Sequence, residues 1–215
     1  MGGFLFDDII FGPVKSRRLG VSLGVNLLPI DYKFCSFDCI YCECGWNKKA
    51  EKKIQLPSPQ IISERLESVL KKRQKNNEPI DSITFAGNGE PTLHPDFVEV
   101  IENTIYLRNI YFPKAIITVL SNASLIHNSK IINALLKVDK NILKLDAGTE
   151  EIFQSINQPN GNLKLNQVVD YLKKFNGQLI IQTLFLQGFD QHKGVDNTTE
   201  KEVTAWLNLL KEIKP

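Results

Sequence analysis

The chain has 215 residues, 26 basic and 24 acidic side chains and a formal net charge of +2, with 42% hydrophobic and 23% charged residues. This balance excludes a disordered tail, a collagen-like fibre and a disulfide-dense miniprotein, and a chain of this length buries roughly 70% of its unfolded surface without covalent staples. Near-neutral charge also argues against a broad surface tracking nucleic-acid phosphates.

The chain opens MGGFLFDDII, with Asp7 and Asp8 where the apolar stretch of a signal peptide would continue and no basic residue before them. Phe6 stands where a myristoylation signal needs Ser or Thr. The run Leu179–Phe185, interrupted by Gln182 and Thr183, is far shorter than the ~20 residues of a spanning helix. A cytoplasmic protein with no membrane partner is expected. Phe4–Phe11 is a candidate edge strand. The basic segment Lys15–Arg18 either binds an anionic group or forms a solvated turn.

From residue 20 onward a short apolar run, a loop and an amphipathic helix alternate. The runs are Val21–Leu28, Ser82–Ala86, Ala115–Leu120, Ile142–Asp146 and Leu179–Phe185, several nearly continuously apolar, as parallel strands covered on both faces require. Ser58-Pro59 is an N-cap and first-turn pair leading into Ile62, Leu66, Val69 and Leu70. Further stripes are Phe97, Ile101 and Ile105; Ile131, Ile132, Leu135 and Leu136; and Leu165, Val168, Val169 and Leu172. The last helix begins with Thr199 and Glu202 in capping-box relation and is expected to bury Val203, Trp206, Leu207, Leu210 and Ile213. The alternation predicts an α/β fold of five to six parallel strands in a single domain over residues 1–215, with 1–19 as an N-terminal extension. The chain stops at Lys214-Pro215, where a sixth parallel strand would begin.

All four cysteines fall in Cys35-Ser-Phe-Asp-Cys39-Ile-Tyr-Cys42-Glu-Cys44. Disulfide frameworks spread their cysteines to close long loops, so this clustering points to soft-metal ligation in a reducing compartment. The C-x3-C-x2-C spacing offers three thiolates from one loop at the carboxyl end of the first strand, where α/β folds place their chemistry. Three ligands for a four-iron cube leave one iron open, the mark of a reactive site. The different-class reading is a non-catalytic metal-binding module, either zinc-stabilised or an Fe–S electron carrier. Zinc sites usually draw pairs from separated knuckles, and Cys44, two positions past Cys42, is awkward as a fourth corner.

The motif resembles the signature of the radical S-adenosylmethionine (SAM) superfamily, C-x3-C-φ-C with aromatic φ, matched by Cys35, Cys39, Tyr41 and Cys42. The resemblance implies a partial open (β/α) barrel, a [4Fe–4S] cluster on these three cysteines, and SAM cleaved by one electron to a 5′-deoxyadenosyl radical. It leaves Cys44 as a non-ligand neighbour and places Tyr41 near the adenine. Where the family carries Gly-Gly-Glu-Pro, after strand two, this chain has Gly87 followed by Asn88-Gly89-Glu90-Pro91. The resemblance gives this loop the methionine end of SAM, with Glu90 facing its amino group. Asn tolerates positive φ better than other non-glycine residues, so the turn survives the change.

At later strand ends, Ser121-Asn122 stands where family members carry Thr-Asn-Gly and either hydrogen-bonds SAM or substrate or turns the chain into a helix. Asp146 either binds ribose hydroxyls or a substrate amine or caps the next helix. Gln182 and Thr183 either face the barrel or lie on its other side. His94, His127 and His192 occur singly, with nothing to recommend them as ligands.

The text from Phe11 to Gly20 resembles one subgroup, Fe–S oxidoreductases related to wyosine-type tRNA-modifying enzymes, which open F-G-P-V-x-S-R-R-L-G. The resemblance implies an electron donor such as flavodoxin or ferredoxin and a substrate of the tRNA, protein or small-molecule kind. The absence of cysteine after Cys44 excludes subfamilies with an auxiliary C-terminal cluster.

Overall fold

The structure, a computed structural model, describes residues 3–47, 54–190 and 193–215. It forms a six-stranded sheet in the order β1 (Ile10–Ser16), β2 (Gly20–Val25), β3 (Ser82–Phe85), β4 (Ile116–Ser121), β5 (Lys140–Lys144) and β6 (Ile180–Gln182). Strands β2 to β6 are parallel and in register with their neighbours. Their spatial order never reverses, so every right-handed crossover falls on the same side and the sheet curls into a partial open barrel instead of a doubly wound layer.

The sixth strand differs from the expected parallel one. Strand β1 is antiparallel to β2 and joins it through a hairpin at residues 17–19. The edge strand is therefore Ile10–Ser16 and not Phe4–Phe11, and the N-terminal extension is part of the sheet. The hairpin turn places Arg17 and Arg18, exposed, at the amino-terminal rim, away from the cysteine loop that follows β2, as a solvated turn would be.

The crossovers are α1 (Pro59–Lys75), α2 (Phe97–Tyr111), α3 (Ser129–Leu135), and the pair α4 (Glu150–Asn157) and α5 (Leu165–Lys173); α6 (Glu200–Ile213) closes the chain. Helix α1 starts where expected because the Ser58 hydroxyl accepts the Ile61 N–H and Pro59 occupies the first turn. Its Ile62, Leu66 and Leu70 are buried against the outward-facing Leu23, Val25, Ile83 and Phe85.

Helix α4 and the hairpin of β7 (Gln187–Asp190) and β8 (Lys193–Asp196) lie outside the predicted elements. Helix α6 buries Ile213 but leaves Leu207 45% exposed, against expectation. Its capping box is half-formed: Thr199 accepts the Glu202 N–H, but the Glu202 carboxylate reaches across to the N–H groups of Gly148 and Thr149 at the start of α4. Among the described residues no helix is long and apolar enough to cross a membrane.

Strand alternation sends a second set of side chains to the concave face. There Ser22 bonds Thr84 at 2.7 Å, and Ser82 bonds both Thr84 and Thr118. These buried hydroxyls satisfy one another, so this part of the barrel is polar without orphaned groups.

Candidate active site at the carboxyl-terminal rim

The cysteine loop is fastened at both ends before any cofactor is considered. Asn47 accepts the Cys35 N–H and donates to the carbonyls of Cys35 and Phe37 and to the Asp38 carboxylate. Asp38 also takes the Asn47 N–H and the Lys33 ammonium, which in turn bonds the Gly45 carbonyl. Lys33 is 3% exposed and the Asp38 side chain 20%, so this pair is a largely buried brace across the loop. Although burial works against both charges, hydrogen bonds from Asn47 and Lys33 hold the Asp38 carboxyl below its ordinary pKa, and Cys42 and Asp38 hold Lys33 above its own.

Three neighbouring loops then dock on it. Phe34 pairs with Gly89 as a parallel bridge, its N–H donating to the Asn88 carbonyl and its carbonyl accepting the Glu90 N–H. Gly89 has φ +147°, and a Cβ there would sit 1.8 Å from the Phe34 oxygen, so only glycine allows the two backbones this close. On the opposite flank Phe37, buried against Phe153, bridges to Pro159, and the N–H groups of Asp38, Ile40 and Asn160 bond the carbonyls of Gln158, Ile156 and Ser36. The loop after β4 supplies Asn122, whose amide donates to the Cys35 sulfur at 3.5 Å and to Ser36 at 2.9 Å.

Each predicted metal-binding thiol has a charged or polar neighbour. Cys35 accepts from the Phe37 N–H and Asn122, and Cys39 from the Asn157 amide at 3.5 Å. Burial and then the Glu90 charge push the Cys35 thiol up to about 12, and burial raises Cys39. Cys42 is lowered to about 6 by its hydrogen bond with Cys44, with Lys33 adding to the effect. The same contact raises Cys44, whose thiol also points at the Gly87 carbonyl 3.7 Å away. Among the described residues no three His, Cys, Asp or Glu side chains converge on a position that one ion could occupy.

The other predicted residues lie on this rim, several with partners the sequence did not suggest. Glu90 is 2% exposed, and its carboxylate accepts the Thr92 N–H and hydroxyl, the Ser121 hydroxyl at 2.8 Å and the Asn122 N–H at 2.6 Å. Burial raises its pKa despite these bonds. Glu90 thus ties the loop after β3 to the loop after β4, and Pro91 opens a short 3-10 turn (Pro91–Leu93). Asn88 is not in a left-handed conformation; Gly89 beside it takes the positive φ. The Asn88 side chain instead bonds the backbone of Phe6 and Pro29.

Asp146 does not cap the next helix, because Thr149 does. It accepts the Tyr41 hydroxyl, the Asn157 amide at 2.8 Å and the Leu184 N–H, with the Lys144 ammonium 3.6 Å away and 5.1 Å above the Tyr41 ring. Burial and the Asp146 charge raise the Tyr41 phenol. Gln182 pairs with Lys144 across the sheet and shares its face, whereas the Thr183 hydroxyl is taken by the Leu145 carbonyl. His94 bonds the Pro57 carbonyl, His127 lies against Tyr171, and His192 is outside the described residues.

Sequence reasoning missed Lys33, Asn47, Lys144 and Asn157. Asn157 had one local signal: Thr149 followed by two acids and Ile152, Phe153 and Ile156 reads as a short capped helix.

Comparison with known proteins places this geometry. The UPF0026 protein MJ1312 of Methanocaldococcus jannaschii is 38% identical over 213 residues, 96% of this chain and 61% of that protein, so the chain spans about three fifths of that relative. TYW1 with a lysine-pyruvate adduct bound superposes with a TM-score of 0.60 at 15% identity, over 89% of this chain and 61% of that one. The structure of anSMEcpe with bound AdoMet gives 0.57 at 20% identity, over 89% and 49%. These two likenesses are of fold. The model of the radical SAM superfamily matches residues 30–196, from ahead of the cysteine loop to the end of β8. A match over most of its length makes this chain a member of the radical SAM superfamily, whose enzymes use a [4Fe–4S] cluster and SAM.

Proposed function

We propose that the chain holds one [4Fe–4S] cluster on Cys35, Cys39 and Cys42 and cleaves SAM reductively. The observation that carries this reading is convergence: side-chain amide N–H groups from the loop after β4 (Asn122) and from α4 (Asn157) meet the sulfurs of Cys35 and Cys39, and the Lys33 cation stands beside Cys42. Hydrogen bonds to cluster sulfurs and a nearby cation favour the thiolate and tune the metal, so the donor set fits. When bound, the cluster supplies one electron to SAM, breaking a sulfonium carbon–sulfur bond to give methionine and a 5′-deoxyadenosyl radical.

The chain positions and shields these groups. Gly87, Asn88, Gly89, Glu90 and Pro91 form the loop for the methionine end of SAM, with Ser121 and Asn122 beside it. Glu90 acts there by holding the loop in shape, since its oxygens are occupied by Thr92, Ser121 and Asn122. Tyr41 and Asp146 serve the adenosine end, oriented by Asn157 and Lys144. A small low-potential carrier such as flavodoxin or ferredoxin supplies the electron.

Anaerobic reconstitution with iron and sulfide tests the proposal. Cys35→Ala, Cys39→Ala and Cys42→Ala each lose bound iron, Cys44→Ala keeps it, and the reduced parent protein releases 5′-deoxyadenosine from SAM. Full iron retention in Cys39→Ala, or a loaded and reduced protein that forms no 5′-deoxyadenosine above background, overturns it.

A further inference from the structure

The family's first glycine is Asn88 in this chain, and its side chain does not face the site. It is fully buried and makes three hydrogen bonds to backbone. Its oxygen accepts the Phe6 N–H at 2.9 Å; its amide donates to the Phe6 carbonyl at 2.9 Å and to the Pro29 carbonyl at 2.8 Å. An asparagine side chain that both donates to and accepts from one residue's backbone imitates a strand partner, and it fixes residue 6 in two directions.

From that anchor, residues 3–6 run to the exit of the cysteine loop. The Phe4 N–H donates to the Glu43 carbonyl at 2.7 Å, and Gly3 lies so close to Cys44 that a Cβ would sit 2.4 Å from its carbonyl carbon. In the other direction Phe6 stacks on Phe11 with ring centroids 3.6 Å apart, and the Phe11 ring lies on Gly24 of β2, where a Cβ would meet it at 2.2 Å. The Ile9 carbonyl accepts the Asn26 N–H just beyond β2. The segment is thus tied to the barrel wall, to the loop after β3 and to the chain just past Cys42.

We infer that residues 3–6 are a strap that positions the outgoing limb of the cysteine loop, and that Asn88 is the residue that locks the strap down. This deepens the cofactor reading above and rests on it. The strap lies along the Cys42–Cys44 side of the loop, as the bonds of Ser36, Asp38 and Ile40 with residues 156–160 hold its other side. Asn88 is therefore a positioning residue acting through Phe6, not through a contact with SAM.

Two variants separate this from a general packing role. Asn88→Gly restores the family's residue and removes all three bonds; Phe6→Pro removes the donated N–H and the ring that stacks on Phe11, so it frees the same strap from its other side. Amide exchange on the unloaded chain is the first readout. Losing up to three hydrogen bonds predicts roughly tenfold or faster exchange at Phe4, Cys42 and Gly45 in both variants, with Ile83 and Val119 unchanged. The double variant exchanges no faster than Asn88→Gly alone, because both act on one strap.

Iron-loaded protein gives the second readout. Both variants take up iron but lose the cluster absorbance in air several-fold faster than the parent, and their KM for SAM rises while kcat holds. Unchanged exchange at Phe4, Cys42 and Gly45 in Asn88→Gly overturns the inference, as does a double variant whose effects simply add. Loosened exchange with parent-like air stability and KM overturns the positioning role. A parent chain that takes up no iron sinks the cofactor reading instead, and exchange on that same chain still decides the strap.

Discussion

The two rims of the barrel use the same chemistry to different ends. At the amino-terminal rim, Asp81 accepts the Val21 N–H at 2.7 Å, and Asp139 accepts the Ile117 N–H and pairs with Arg108. Both carboxylates are solvated, and both finish strand ends that would otherwise expose N–H groups. At the carboxyl-terminal rim, Glu90, Asp146 and Lys33 are almost wholly buried; Glu90 and Asp146 link segments 31 to 105 positions apart, and Lys33 braces Asp38 and Gly45 across its own loop. A buried charge costs several kcal/mol unless every lone pair and proton finds a partner. The carboxyl-terminal rim therefore spends stability to hold loops in a fixed relation, whereas the other rim only tidies strand ends.

This contrast breaks or sharpens under substitution. The largest effect is expected at Gly89→Ala, whose methyl group collides with the Phe34 carbonyl and whose φ is strained; unfolding free energy should fall by at least about 3 kcal/mol. Reconstituted iron should fall with it, and a variant of parental stability and iron content would show that the two loops need not touch.

Glu90→Gln comes next, since an amide cannot accept from all the donors that the carboxylate serves. Chemical denaturation should show a loss of about 2–3 kcal/mol with weakened SAM binding and retained iron. Parental stability would mean that Glu90 does not brace the loops.

Asp81→Ala is the matched control on the opposite rim. Its carboxylate also holds a backbone N–H, but in water, so the expected cost is about 1 kcal/mol with SAM cleavage unchanged. A cost as large as that of Glu90→Gln would erase the distinction between the rims. Smallest of all, the Arg17→Ala, Arg18→Ala double variant should stay within about 0.5 kcal/mol and turn over SAM as the parent does. A rise in KM at low salt would return these arginines to the active site.

Several elements were legible because their causes are local. Ser58 and Pro59 start α1, and Thr199 starts α6, through contacts within three residues. The apolar runs of β2 to β5 were readable because both their faces are covered. The hairpin β7–β8 escaped because its strands have four residues each and follow an apolar run that reads as one longer strand. Strand β1 escaped because its side chains are mostly exposed and its apolar content sits at one end. Leu207 was misplaced because a helical stripe gives the angular position of a residue but not the extent of the surface that covers it.

The sequence by itself determined the family signature, three cysteines and an aromatic residue at fixed spacing whose resemblance implies the cofactors, and the alternation that builds the barrel. Those features depend on neighbours along the chain, and a linear pattern records them. Only the tertiary structure decided what the polar residues of the rim do. Asn157 meets Cys39 across 118 positions, Tyr41 meets Asp146 across 105, and Asn88 meets Phe6 across 82. A hydrogen bond needs two groups about 3 Å apart in space, whatever their separation in sequence. The burial that makes such a bond worth having is a property of the assembled barrel, and Asn88 shows the consequence: one residue, read as a tolerated glycine substitute, is instead the clasp of a strap.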